Sequence, residues 1–256
     1  MLHRYTRNLP VLLVRALARP RLAAGVLVSM AMLTTACSND IATDVTSPAS
    51  GLEVSLGKNV ASGFAVLANG TVTCTDGTIT GGNVGTQQAT PTGAFVQTRC
   101  PITGTINLGN GAAKAAYKGF LSNYADVAKT SCKGAPLTGT LAGVILAPGV
   151  YCFDAGATLT GVLTLNGPAK GVWTFKIGTL GSGALTGSSF TVVMAGNGQA
   201  CNVTWWVANG STMTDSNLKG TVLSGAGITF TNGTYNGNAF AKADATITGT
   251  AVTGCA

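Results

Sequence analysis

Few side chains in this sequence could carry covalent or acid–base chemistry, and they are thinly spread. The carboxylates are Asp40, Asp44, Glu53, Asp76, Asp126, Asp154, Asp215 and Asp244, and the one histidine is His3. General base catalysis, nucleophilic triads and metal ligation draw on histidine or on clustered carboxylates and thiols. Distant groups such as Asp154, Asp215 and Asp244 could act together only if folding gathered them. The glycine-rich stretches lack the Lys-Ser/Thr ending that cradles phosphate. The pattern speaks against an enzyme and implies no cofactor and no metal.

Threonine is dense instead, and often at alternate positions: Thr71/Thr73, Thr78/Thr80, Thr158/Thr160, Thr212/Thr214, Thr229/Thr231 and Thr246/Thr248. In a strand, residues i and i+2 share a face about 6.6–6.8 Å apart, and stacked strands lie about 4.7–4.9 Å apart. Stacked Thr-x-Thr units therefore make a grid of hydroxyls and methyls. The β-branch leaves each threonine few rotamers, so contact costs little entropy. Such a grid adsorbs to a surface rather than catalysing. Threonine also alternates with inward residues on any exposed β face, which is the ordinary reading of a single pair.

The positioning elements are read from a repeat. An aliphatic residue followed by Thr-Gly occurs at Ile79, Ile102, Leu137, Leu159, Leu185 and Ile247, at intervals of 23, 35, 22, 26 and 62 residues. A period in the low twenties reads as a β-solenoid whose coils bury their faces by stacking. Runs at Phe64–Leu67, Gly149–Phe153, Val172–Ile177 and Val203–Val207 read as strands. Between 112 and 130 the spacing of Tyr117, Phe120, Leu121, Tyr124, Val127 and Ala128 predicts an amphipathic helix lying along one face.

Residues 1–36 read as an export signal, with Arg4, Arg7, Arg15, Arg19 and Arg21 before the apolar run Leu22–Leu33. Cys37 follows, and the site resembles a lipoprotein signal that would acylate Cys37 and send the protein to the outer membrane. Thr34 stands where such signals carry leucine, and ordinary secretion is the alternative. Residues 37–57 read as a flexible tether and 58–256 as one domain. Without the leader, ten Lys+Arg face eight Asp+Glu, a net charge of +2. That scattered charge makes no footprint for nucleic acid, and a monomer is expected. The remaining cysteines, Cys74, Cys100, Cys132, Cys152, Cys201 and Cys255, are an even six in an oxidising compartment. The expected pairs are Cys152–Cys201, both on apolar strand-like runs, and Cys74–Cys100, leaving Cys132 and Cys255.

Taken in order, these runs resemble the microbial ice-binding (antifreeze) family. They are Leu56-Gly57, Phe64–Ala68, Thr71–Thr73, Gly82–Gly85, the helix, Ala147–Phe153, Leu159–Leu165, Val172–Gly178, Cys201–Trp205, Leu218–Leu223 and Gly237–Ala241. The resemblance implies a mainly β, right-handed irregular β-solenoid (β-helix) of triangular section with one long helix packed alongside. It also implies a flat Thr/Ser/Ala-rich face that adsorbs to an ice crystal surface, by holding first-layer water in an ice-like arrangement. The candidate strip comprises Thr71, Thr73, Thr158, Thr160, Thr179, Ser211, Ser224 and Ala226. Lys242 and Asp244 depart from it, and both are expected to face outward and interrupt the grid at its end. The other reading is a cell-surface structural or adhesion module binding polysaccharide or protein. Trp205-Trp206 offers one outward ring for carbohydrate stacking, its neighbour going to the core.

Overall fold

The structure is a computed structural model that describes residues 61 and 63–255. The export signal, Cys37 and the tether lie outside the described residues.

The chain alternates between two parallel sheets. The first comprises β1 (Phe64–Ala68), β4 (Asn83–Thr86), β6 (Ile106–Leu108), β8 (Gly149–Phe153), β10 (Trp173–Ile177), β12 (Val203–Val207), β14 (Thr221–Ser224) and β16 (Ala239–Ala241). The second comprises β2 (Val72–Thr75), β3 (Thr78–Thr80), β5 (Phe95–Thr98), β7 (Ile145–Leu146), β9 (Ala157–Gly167), β11 (Leu185–Gly196), β13 (Ser211–Lys219), β15 (Ile228–Asn236), β17 (Ala245–Thr248) and β18 (Ala251–Thr253). Among the described residues one α-helix, α1 (Gly111–Lys129), interrupts them.

Stacking order departs from chain order. The first sheet runs β6-β4-β1-β16-β14-β12-β10-β8, and the second runs β5-β2-β17-β15-β13-β11-β9-β7. The N-terminal coils thus pack on the C-terminal one, β1 on β16, β2 on β17 and β3 on β18. The helix carries the chain from β6 at one end of the stack to β7 and β8 at the other, so one coil series is entered twice.

Alternation decides which side chains meet. In the first sheet, Val66, Ala68, Val222, Trp205 and Val207 point into the main core with Phe175, Leu159 and Phe230. Their neighbours Leu67, Leu223, Trp206 and Phe240 point the other way, under the helix residues Ala113, Tyr117, Phe120, Tyr124 and Val127. Both sides of this sheet are therefore largely apolar, although in β10 Thr174 and Lys176 alternate with Trp173, Phe175 and Ile177. Leu121 and Ala128, counted in sequence as part of the helix's apolar face, are exposed. Trp206 is the outward ring, but α1 covers it and its indole N–H donates to the Tyr124 carbonyl at 2.9 Å. Neither tryptophan of that pair is left for a sugar.

The helix ends are held chemically. Asn110 accepts the Ala113 amide at 3.0 Å. At the other end the buried Lys176 ammonium donates to the carbonyls of Ala128 and Thr130 at 2.8 and 2.7 Å. These are groups a helix leaves without partners, at its negative end. Burial pushes the Lys176 pKa below its ordinary value.

The disulfides are Cys74–Cys100, Cys132–Cys152 and Cys201–Cys255. The expected Cys152–Cys201 bond does not form. Cys152 lies in β8 at one edge of the stack, where the segment after the helix bends back over it and supplies Cys132. Cys201 sits in the turn before β12 and meets the returning C-terminus.

Candidate functional site

One wall of the second sheet is built almost wholly of outward threonines. Alternation turns Val72, Cys74, Ala245, Ile247, Ile228, Phe230 and Leu159 into the core. The residues between them must then face out. Register aligns Val96, Thr73, Thr246, Thr229, Thr212, Thr186 and Thr158 in one file. A second file holds Thr98, Thr75, Thr248, Thr231, Thr214 and Ser188. An extra residue in β11 then sets Ser188 and Ser189 together opposite Thr160, the seventh member. Six steps of about 4.8 Å make each file roughly 29 Å long, with the files about 6.6 Å apart.

Each coil leaves this wall by the same device. The residue after the second file is Arg99, Asp76, Gly249, Asn232, Asp215, Ser189 or Gly161, and each has a positive φ, from 47° to 69°. This left-handed turn is open to glycine and tolerated best by Asn and Asp. It bends the strand sharply and squares the wall's edge. Polar side chains tie the corners together: Asn232 donates to Asp215 at 2.9 Å, and Arg99 forks onto Asp76. The Arg99 hydrogen bond holds the Asp76 carboxyl below its ordinary range.

The hydroxyls on two adjacent walls behave differently. Beyond the corner, Thr80 reaches the Val252 carbonyl, Thr234 donates to Asn217, and Asn217 donates to Thr191. That wall satisfies much of its own polarity. Among the described residues, the threonine hydroxyls of the two files make no hydrogen bond to protein. Among the described residues nothing competes for them, which leaves them open to a partner in the solvent.

The sequence-derived strip is divided by the structure. Thr73 and Thr158 stand in the first file and Thr160 in the second. Ser211 and Ser224 are 1% and 0% exposed and do not belong to any surface. Ser211 falls in the inward register between Leu185 and Ile228. Ser224 ends β14 and donates to the carbonyls of Asn209 and Gly227 at 2.9 and 3.0 Å. Thr179 lies after β10 and donates to Asp154. Ala226 lies on the turn between β14 and β15.

Lys242 and Asp244 do not break the two files. The Lys242 ammonium sits 3.6 Å from the Tyr124 ring centroid, a cation over an aromatic face. Asp244 stands one strand step outside the first file and accepts the Thr71 amide at 2.7 Å. Asp154, Asp215 and Asp244 thus have separate partners. Among the described residues no three His, Cys, Asp or Glu come together as a metal site.

Sequence reasoning missed Thr75, Thr98, Thr186 and Ser188, and it left Thr212, Thr214, Thr229, Thr231, Thr246 and Thr248 as Thr-x-Thr pairs outside the candidate strip. Thr75 was hidden because Thr71/Thr73 took the pair one step early. A better signal was available: Thr-x-Thr followed at once by Asp, Asn or Gly marks file, file and corner. Thr78-Ile79-Thr80-Gly81 obeys it too, yet lies on the next wall of a coil already supplied by Thr73 and Thr75.

Comparison with known proteins follows the same geometry. The profile of the ice-binding-like family matches residues 66–253. A crystal structure of an ice-binding protein from the Antarctic ascomycete Antarctomyces psychrotrophicus is similar, with TM-score 0.70 and 28% identity over 77% of this chain and 96% of that one. An ice-binding protein from an Antarctic biological consortium gives TM-score 0.69 and 25% identity, over 77% and 90%. One from an Antarctic bacterium of the Flavobacteriaceae gives TM-score 0.64 and 30% identity, over 75% of this chain and 45% of that one. No curated protein sequence matches the chain.

Proposed function

This chain belongs to the ice-binding-like family, and from that premise we propose that it adsorbs to ice through the two threonine files, without catalysis. The observation that carries the reading is the pair of files themselves, regular, nearly uncharged and, among the described residues, with threonine hydroxyls that bond to no other protein group. Fold alone would be weak support, because one architecture hosts many functions. Here the wall has the required chemistry. Methyl groups at fixed spacing shed their water on contact, and hydroxyls between them hold the remaining waters in register with a lattice. The rigid core beneath and the β-branched side chains keep the ordering cost low.

Thermal hysteresis and ice recrystallisation inhibition of residues 38–256, with all three disulfides formed, test this directly. Ice-crystal shaping and a freezing gap are expected. A folded, oxidised protein that shows neither would overturn the reading.

The same reading extends to the rest of the chain. The coils wind right-handed with a triangular section, residues 58–256 act as a monomeric domain, and residues 1–36 export it. The small residues before Cys37 support acylation there, which would tether the domain at the outer membrane. Labelling with an acyl-chain probe decides between anchoring and release.

A further inference from the structure

Arg99, Asp76 and Asp215 edge the second file at the corners, whereas along the free side of the first file one charged group stands, at an unusual place in the stack. Two residues before each first-file member lie Ala94, Thr71, Asp244, Gly227, Gly210, Ala184 and Gly156, in stacking order. All are small and uncharged except Asp244. That residue occupies the seam where the C-terminal coil meets the N-terminal one, and 173 positions separate it from Thr71. Most other neighbouring coils are consecutive in the chain and are held in register by their own connections. This seam has no such help.

Asp244 is bonded on both sides. Its backbone carbonyl accepts the Ile228 amide at 2.9 Å from the coil below. Its carboxylate accepts the Thr71 amide at 2.7 Å from the coil above, and the Thr71 carbonyl in turn accepts Ala245 N–H at 3.0 Å. A charged acceptor makes the stronger kind of hydrogen bond. Gly70 leaves room for it, since a Cβ there would collide with the Asp244 carboxylate oxygen.

We infer that Asp244 is a positioning residue, whose carboxylate registers the N-terminal coils against the C-terminal coil so that both threonine files cross the seam unbroken. The inference rests on the ice-adsorption reading for its effect on activity. It opposes the simpler view that a charge beside the grid repels ice, and the two views predict opposite signs.

The test uses Asp244→Ala, Asp244→Asn, Gly70→Ala and the Gly70→Ala/Asp244→Ala double variant. Thermal hysteresis is measured at equal concentration, and amide exchange is followed at residues 72–75 and 245–248. Asp244→Ala should lose activity several-fold and speed exchange along the seam. Asp244→Asn keeps an acceptor oxygen and should recover most of the loss. Gly70→Ala displaces the carboxylate but retains the charge, so it should lose activity too, and it carries the test if Asp244→Ala does not fold. The double variant should lose no more than either single one, because both remove the same contact. Unchanged or higher activity in Asp244→Ala, with seam exchange unaltered, would overturn the inference. If the unaltered protein lacks thermal hysteresis, it is the adsorption reading that fails, and seam exchange still decides the role of Asp244.

Discussion

A tyrosine in place of Thr229 is the sharpest probe of the wall. Thr229 is exposed and is the fourth of seven rungs in the first file, flanked by Thr246 and Thr212 and paired across with Thr231. A phenol there stands proud of a layer of threonines and holds a flat crystal off those neighbours. Losing four methyl contacts at about 0.8 kcal/mol each removes about 3 kcal/mol, or roughly a hundredfold in adsorption. Stability should barely move. Tyrosine suits an exposed strand, and surface changes usually stay within about 0.5 kcal/mol, about 2 °C in Tm for a domain of this size. The assay is thermal hysteresis against concentration, with Tm by calorimetry as the control. Thr234→Tyr on the adjoining wall, where the threonine hydroxyl already bonds to Asn217, should leave hysteresis unchanged. Full activity in Thr229→Tyr would refute the assignment of the wall, and loss only in Thr234→Tyr would move it next door.

Other expectations follow from buried groups. Among the described residues the Ser211 hydroxyl is buried without a partner, so Ser211→Ala should be neutral or raise stability by about 1 kcal/mol, with activity intact; a loss of hysteresis would return Ser211 to the surface. Lys176→Met leaves two helix-end carbonyls unpaired and should cost about 1–3 kcal/mol, read as a lower urea midpoint. Burial pushes the Tyr124 hydroxyl up to about 12 and moves Tyr235 upward as well. Both folded values lie above the unfolded one near 10. Their contribution is therefore present below pH 10 and lost as pH rises above it, for Tyr124 through about 12, so Tm should hold to pH 9 and fall beyond 10. Peptide mapping under non-reducing conditions should recover Cys132–Cys152 and Cys201–Cys255, and a Cys152–Cys201 peptide would contradict the stacking order.

Much of the fold was readable because its signals are local. The helix showed its apolar spacing, observed as Gly111–Lys129, and strands such as Val203–Val207 showed theirs. The solenoid period was legible only roughly. Thr158, Thr186, Thr212, Thr229 and Thr246 are separated by 28, 26, 17 and 17 residues, because corners differ in length while the walls do not. The Thr-Gly triplets do not share a register either: Leu159 stands opposite Gly187, and Leu185 opposite Ala157.

By itself, the sequence determined what kind of surface this protein has. Alternating threonine beside inward aliphatics gives a hydroxylated, weakly charged face in any parallel stack, and composition makes acids and bases few, while the separate partners of Asp154, Asp215 and Asp244 came from folding. Tertiary structure alone decided which threonines share a wall, because that depends on where each coil turns and on a stacking order that differs from the chain order. It also decided that Ser211 and Ser224 are interior, that Trp206 lies beneath the helix, and that Asp244 meets Thr71. Those facts arise from contacts between residues far apart in the chain, and no local pattern encodes them.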